Sequence, residues 1–234
     1  MGIPVLILGE SGSGKSCSLR NFKKDDLVVY NVAGKPLPFR AKLNVADNVT
    51  YKQIQQNMAK GNFKTYVIDD SQYLMAFESF DRAKETGWGK NIDLASNFKN
   101  LIQFVIKNTP EDTITYFLHH TEVTNAGKIK AKTLGQMLDN QLTVEGLFSI
   151  VLLCTAESDG HYFITNSDGT NTCKSPMEMF DIKIDNDLKM VDDKIREYYE
   201  LNKKEEKPNE PSKENSKTTA NEAAQNGTQQ GQVQ

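Results

Sequence analysis

Gly9-Glu10-Ser11-Gly12-Ser13-Gly14-Lys15-Ser16 is the stretch that decides how the rest of the chain is read. The octapeptide fits G-x-x-x-x-G-K-[ST] and directly follows the apolar run Ile3-Pro4-Val5-Leu6-Ile7-Leu8. Glycines let such a loop turn its backbone N–H groups inward around a phosphate, and a helix N-terminus behind it adds positive potential. In that arrangement Lys15 reaches the β- and γ-phosphates and the Ser16 hydroxyl sits on Mg²⁺. The expected nucleotide cradle is therefore Gly9, Glu10, Ser11, Gly12, Ser13, Gly14, Lys15 and Ser16, continued by Cys17 at the start of the helix.

Outward from the loop, strand and helix patterns alternate, which predicts an α/β fold with a mostly parallel sheet flanked by helices. Strands are expected at Ile3–Leu8, Leu27–Tyr30, Thr65–Asp70 and Ile114–Leu118. Helices are expected from Lys15, over Tyr51–Lys60 with Gly61 as its stop, and over Ser71–Phe80. Gly87-Trp88-Gly89 marks a break. A further helix over Asn91–Lys107 follows from Leu94, Phe98, Leu101, Ile102 and Val105 at 3.6-like spacing before Pro110. Pro36 and Pro38 make the segment from Gly34 to Arg40 a stiff loop. Gly135–Leu147 reads as helical. Phe148–Cys154 and His161–Thr165 read as a late antiparallel hairpin about Asp159-Gly160. Lys189–Leu201 reads as the last helix.

Of the 234 residues, 38% are hydrophobic, a low share for a globular chain. The shortfall lies in 203–234, which has no aromatic residue, no Leu and no Ile. Such a segment buries too little apolar surface to offset its chain entropy, so it is expected to be a disordered polar tail behind one domain over 1–202. A net charge of −3 is not the mark of a basic nucleic-acid-binding domain, although a local basic loop can still carry a contact. Cys17, Cys154 and Cys173 are isolated and odd in number, which fits a reducing cytoplasm. No membrane span or signal peptide is visible. Leu6 stands where a myristoylation pattern wants Ser or Thr, and with so little chain before the first strand no targeting segment is expected.

The strand ending Tyr66-Val67-Ile68-Asp69-Asp70 offers two acids. Asp69 reads as the Mg²⁺ ligand of a Walker B strand, the alternative being a helix N-cap. Asp70 reads either as the group that polarises an attacking water or as that N-cap. His119 and His120 end the next strand, where a polar side chain can report a γ-phosphate. Alternation turns only one towards the nucleotide, and His120 is the expected sensor. Lys128, Lys130 and Lys132 alternate along an extended segment; they could grip a phosphate backbone without reading sequence, or form a solvated loop. Only Arg20, Arg40, Arg82 and Arg196 exist, so a charge-stabilising finger from a neighbouring subunit is one of these or a lysine, with Lys174 a candidate.

With these pieces in order, the chain resembles phage-encoded P-loop ATPases with a RecA-like core, including the ATP-dependent single-strand annealing proteins. Beyond the phosphate loop and Tyr66–Asp70, the likeness lies in Lys35-Pro36-Leu37-Pro38-Phe39-Arg40 and in the strand ending His119-His120. It continues in Lys132-Thr133-Leu134-Gly135-Gln136-Met137-Leu138-Asp139 and in Cys173–Phe180, covering roughly residues 1–200. The resemblance implies ATP and Mg²⁺ as cofactors and stacked subunits, a homo-oligomer with nucleotide near the interface. It also implies single-stranded DNA as partner and the cytoplasm of a bacterial host as location. It carries Gly9–Ser16 over as cradle, Asp69 as Mg²⁺ ligand and His120 as sensor. RecA-like enzymes place a catalytic glutamate at the end of a strand beside the P-loop strand. Leu27–Tyr30, the expected counterpart, runs into Asn31, so hydrolysis is expected to be slow or to rely on Asp70.

Overall fold

Every residue from Val5 to Leu8 is inaccessible to solvent, because the strand they form is covered on both faces. This is β1, Ile3–Gly9, with parallel neighbours on each side: β5, Ile114–Val123, and β7, Ile150–Glu157. The computed structural model describes residues 1–134 and 142–201. The expected polar tail lies outside them, and so does the first half of the helix expected over Gly135–Leu147. Its second half contains only a 3₁₀ turn at Val144–Leu147.

Among the described residues nine strands form one mixed sheet. The remaining strands are β2 (Leu27–Asn31), β3 (Asn44–Asp47), β4 (Thr65–Asp69), β6 (Ile129–Ala131), β8 (Gly160–Ile164) and β9 (Lys183–Asp185). Their order is β3-β2-β4-β5-β1-β7-β8-β9, with β6 paired to the far end of β5. The first six in that order are mutually parallel; β8, β9 and β6 are antiparallel to their neighbours. The architecture is thus α/β with a mostly parallel sheet.

Apolar residues of the strands alternate between two cores. Leu6, Leu8, Tyr66, Ile68, Phe117 and Val151 face α1 (Tyr51–Met58), α2 (Tyr73–Asp81) and α3 (Trp88–Asn108). Val5, Ile7, Val67, Tyr116, Leu118 and Leu152 face Leu19, Phe22 and α4 (Leu188–Tyr198). The period of two is what lets one strand serve both cores. In α3 the buried set Leu94, Phe98, Leu101, Ile102 and Val105 is the stripe read from the sequence. Its N-terminus is one residue after Gly87, whose φ of +101° only glycine adopts readily, so the break includes neither Trp88 nor Gly89.

Several expectations need correcting. The segment after the glycine-rich loop is not an α-helix but a six-residue 3₁₀ helix, Ser16–Asn21. Ser16, Cys17, Ser18 and Asn21 are weak helix formers, and Phe22 leaves in an extended conformation. β2 does not lie beside β1, since β4 and β5 intervene. The hairpin turn is Ser158-Asp159, with Gly160 already paired to Glu157; neither turn residue has positive φ, so the turn is not the mirror-image type expected of Asp-Gly. β3, β6 and β9 are only three or four residues long, too short for a period to register.

Candidate functional site

The parallel strands bring their C-terminal ends to one edge of the sheet. Gly9 of β1 lies level with His120 of β5, and Asn31 of β2 lies level with Asp69 of β4. The Gly9–Ser16 loop leaves from that edge. Gly12 and Gly14 have φ of +82° and +102°, values that strain any side chain. A Cβ on Gly14 would also stand 3.0 Å from the His161 ring, a tight contact added to the backbone strain.

Lys15 is buried, and its ammonium donates to the carbonyls of Gly9 (2.7 Å) and Glu10 (2.8 Å). Burial lowers its pKa, while the charges of Asp70 and Asp69 work against that shift. The Ser16 hydroxyl lies 3.0 Å from each carboxylate oxygen of Asp69, across 53 residues of sequence. Burial, and then the neighbouring Asp70, push the Asp69 carboxyl up to about 6. A buried acid held up in this way is one that a divalent cation stabilises in its ionised form. Ser16 and Asp69 therefore fit Mg²⁺. Among the described residues no cluster of three or more His, Cys, Asp or Glu makes a metal centre of its own.

Asp70 has φ of +58°, a left-handed conformation that costs a non-glycine residue about 1–2 kcal/mol. That turn swings its carboxylate towards Lys35 (2.5 Å) and His120 (3.1 Å). Burial alone would raise the Asp70 pKa, but the bonds from His120 and Lys35 outweigh it and leave the carboxyl below its ordinary range. Asp70 is therefore not a helix cap: the N-cap of α2 is Gln72, which makes no side-chain cap bond.

The two histidines part as alternation requires. His119 is fully buried on the α3 side, its ring 5.4 Å from that of Phe98. Its Nε2 faces the carbonyl of Lys132 at 2.8 Å and must donate, leaving Nδ1 to accept from Ser71 at 2.8 Å. His120 turns to Asp70 and stacks edge-on against Tyr73.

Three groups at this edge were not anticipated. Lys35 comes from the stiff Lys35–Arg40 loop. His161 Nδ1 and Cys154 Sγ both donate to the carbonyl of Ser13, at 2.8 and 3.0 Å, so the β7–β8 hairpin braces the glycine-rich loop. Nothing local in the sequence couples residues 154 and 161 to residue 13. Lys174 is not brought to the loop within the chain. Its backbone pairs with Val151, level with Leu6 rather than with Gly9. Lys130 pairs with Glu122 (2.8 Å) across β5–β6, while Lys128 and Lys132 are exposed. Ile129 and residues Glu10–Ser13 line the same 320 Å³ pocket, so the lysine-bearing hairpin borders the glycine-rich loop.

The chain matches no protein-family model and no curated protein sequence. No described helix is long and apolar enough to cross a membrane.

Proposed function

We propose that the protein is a P-loop ATPase with a RecA-like core, binding Mg·ATP and acting on single-stranded DNA as a homo-oligomer with nucleotide near the subunit interface. The observation that carries the reading is the meeting of Ser16 with Asp69 beside the buried ammonium of Lys15. The sheet order supports it too, with the strand of His119 and His120 inserted between the loop strand and the acid strand.

In this reading the amides of Gly12–Ser16 and the Lys15 ammonium hold the phosphates, replacing the contacts Lys15 makes with Gly9 and Glu10. The six-residue 3₁₀ helix contributes little dipole, so Lys15 and the loop carry the neutralisation. Ser16 and Asp69 would hold Mg²⁺, which supplies charge neutralisation at the phosphate oxygens. His120 reads the γ-phosphate through its bond to Asp70. Lys128 and Lys132, on the hairpin bordering the loop, are the DNA contacts, with Lys130 partly neutralised by Glu122.

A second reading, a nucleotide-gated interaction protein with negligible hydrolysis, is favoured by one observation: both Asp70 oxygens are already engaged, by His120 and Lys35. Lys15→Ala tests the nucleotide site, with an expected fall of about 100-fold or more in Mg·ATP affinity or turnover. Undiminished calorimetric affinity and turnover in that variant would remove the assignment. Turnover measured with and without single-stranded DNA separates the two readings, since only the ATPase is stimulated.

A further inference from the structure

We propose that Lys35, positioned by Asn31, is a second cation of the phosphate site that stabilises the γ-phosphoryl group in transit from within the same chain. The proposal rests on the nucleotide reading above.

Three of the four arginines are committed elsewhere. Arg20 binds the carbonyls of Asn186 and Cys17, Arg82 pairs with Glu78, Glu85 and Asp93, and Arg196 is held by Asp192 and the carbonyls of Asp112 and Lys64. Lys35 is the cation that does reach the loop edge. Its ammonium lies 2.5 Å from Asp70 and 5.8 Å from the centre of the Tyr73 ring, and its charge is felt at both Asp69 and Lys15. The side chain is 61% exposed, so it exchanges partners without crossing a packed interior.

The backbone beneath it is fixed. Asn31 is buried at the end of β2, and its amide nitrogen donates to the Lys35 carbonyl (2.6 Å) and to Asp47 (2.7 Å). The Asn31 carbonyl in turn accepts from Gly34 and Asn48. Gly34 has φ of +65°, and a Cβ there would stand 2.5 Å from the Asn48 amide oxygen. Pro36 and Pro38 then stiffen the exit. Where a glutamate was sought, the chain has an asparagine that holds a lysine.

In hydrolysis the water oxygen bonds to the γ-phosphorus, and the bond from that phosphorus to the β–γ bridging oxygen breaks with its electron pair left on the bridging oxygen. The water proton leaves with the released phosphate or to solvent. Lys35 exchanges no proton in this step; it moves from the Asp70 carboxylate to the equatorial oxygens of the γ-phosphoryl, and Asp70 holds it in place until then.

The test uses the full chain and two affinities, for Mg·ADP and for Mg·ADP with aluminium fluoride, a mimic of the group in transit. Wild type should bind the fluoride complex more tightly. Lys35→Met should keep its Mg·ADP affinity within about twofold yet lose about tenfold or more of the fluoride gain, because only the transition-state interaction is removed. Lys35→Arg should restore the gain, and Asn31→Ala should lose part of it at unchanged Mg·ADP affinity. A full fluoride gain in Lys35→Met overturns the proposal while the nucleotide reading stands. Loss of Mg·ADP affinity in step with the gain also overturns it, making Lys35 a ground-state contact. A wild type that binds neither complex overturns the nucleotide reading itself.

Discussion

His119 and His120 are the same residue twice, and one step along a strand gives them different chemistry. Burial holds the His119 pKa down at about 4, whereas an unfolded histidine titrates near 6.5. Above pH 6.5 both states are neutral and the group has no effect. Below it the unfolded chain takes up a proton that the folded chain refuses until about pH 4, so stability falls as pH falls through this window. The slope is about 1.4 kcal/mol per pH unit for one proton. Asp69 acts in the opposite sense. With its folded pKa raised to about 6, it costs stability as pH rises from its unfolded value through 6. Urea midpoints of wild type and His119→Asn at pH 7 and pH 5 isolate the histidine. Wild type should lose about 2 kcal/mol more than the variant over that span, and parallel losses would contradict the buried neutral ring.

At the scale of an element, the β7–β8 hairpin braces the Gly9–Ser16 loop at one carbonyl. A carbonyl has two lone pairs, and Ser13 uses them for His161 and Cys154. The bond from Cys154 is itself anchored, because Asn186 donates to its sulfur at 3.0 Å and Arg20 binds the Asn186 carbonyl. The loop is therefore braced at Ser13 by both strands of the hairpin. His161→Ala leaves one of the two donors and should lower stability by about 1 kcal/mol. It should also weaken Mg·ATP binding severalfold, through a loop that samples other shapes. Isothermal calorimetry beside a urea titration reads both. Unchanged affinity would mean that Cys154 and the loop's own glycines suffice. The expected hairpin was legible from alternating residues about Asp159, but its contact with residue 13 was not.

At the scale of the whole molecule, a buried carboxylate on the second face of the sheet adds a polar tie to the apolar packing of α4. Asp192 of α4 accepts from Thr65 of β4 and Tyr116 of β5, each at 3.1 Å, and from Arg196 at 2.8 Å. Arg196 extends the network to the carbonyls of Asp112 and Lys64. This ties the last helix to the strands that carry Asp69 and His120, at their opposite ends. Removing one member of such a buried set leaves the others unpaired. Asp192→Ala should cost about 3–5 kcal/mol by chemical denaturation, and a loss under about 1 kcal/mol would show the network to be dispensable.

What the sequence determined by itself is local: the octapeptide Gly9–Ser16, the apolar runs of the long strands and the stripe of α3. Each depends on spacing within a few residues, where backbone geometry alone relates side chains. Asp69 was legible as a strand end for the same reason, whereas β5 runs on past His120 to Val123, where β6 pairs with it. Strand order was not, because β1 and β2 are consecutive in sequence yet separated by β4 and β5 in space. The contacts that make the site follow from that order: Ser16 with Asp69, Lys35 with Asp70, and His161 with Ser13. Each joins segments far apart in sequence, through pairings that no local pattern encodes. The left-handed turn of Asp70 belongs with them, since its partners Lys35 and His120 also come from distant segments.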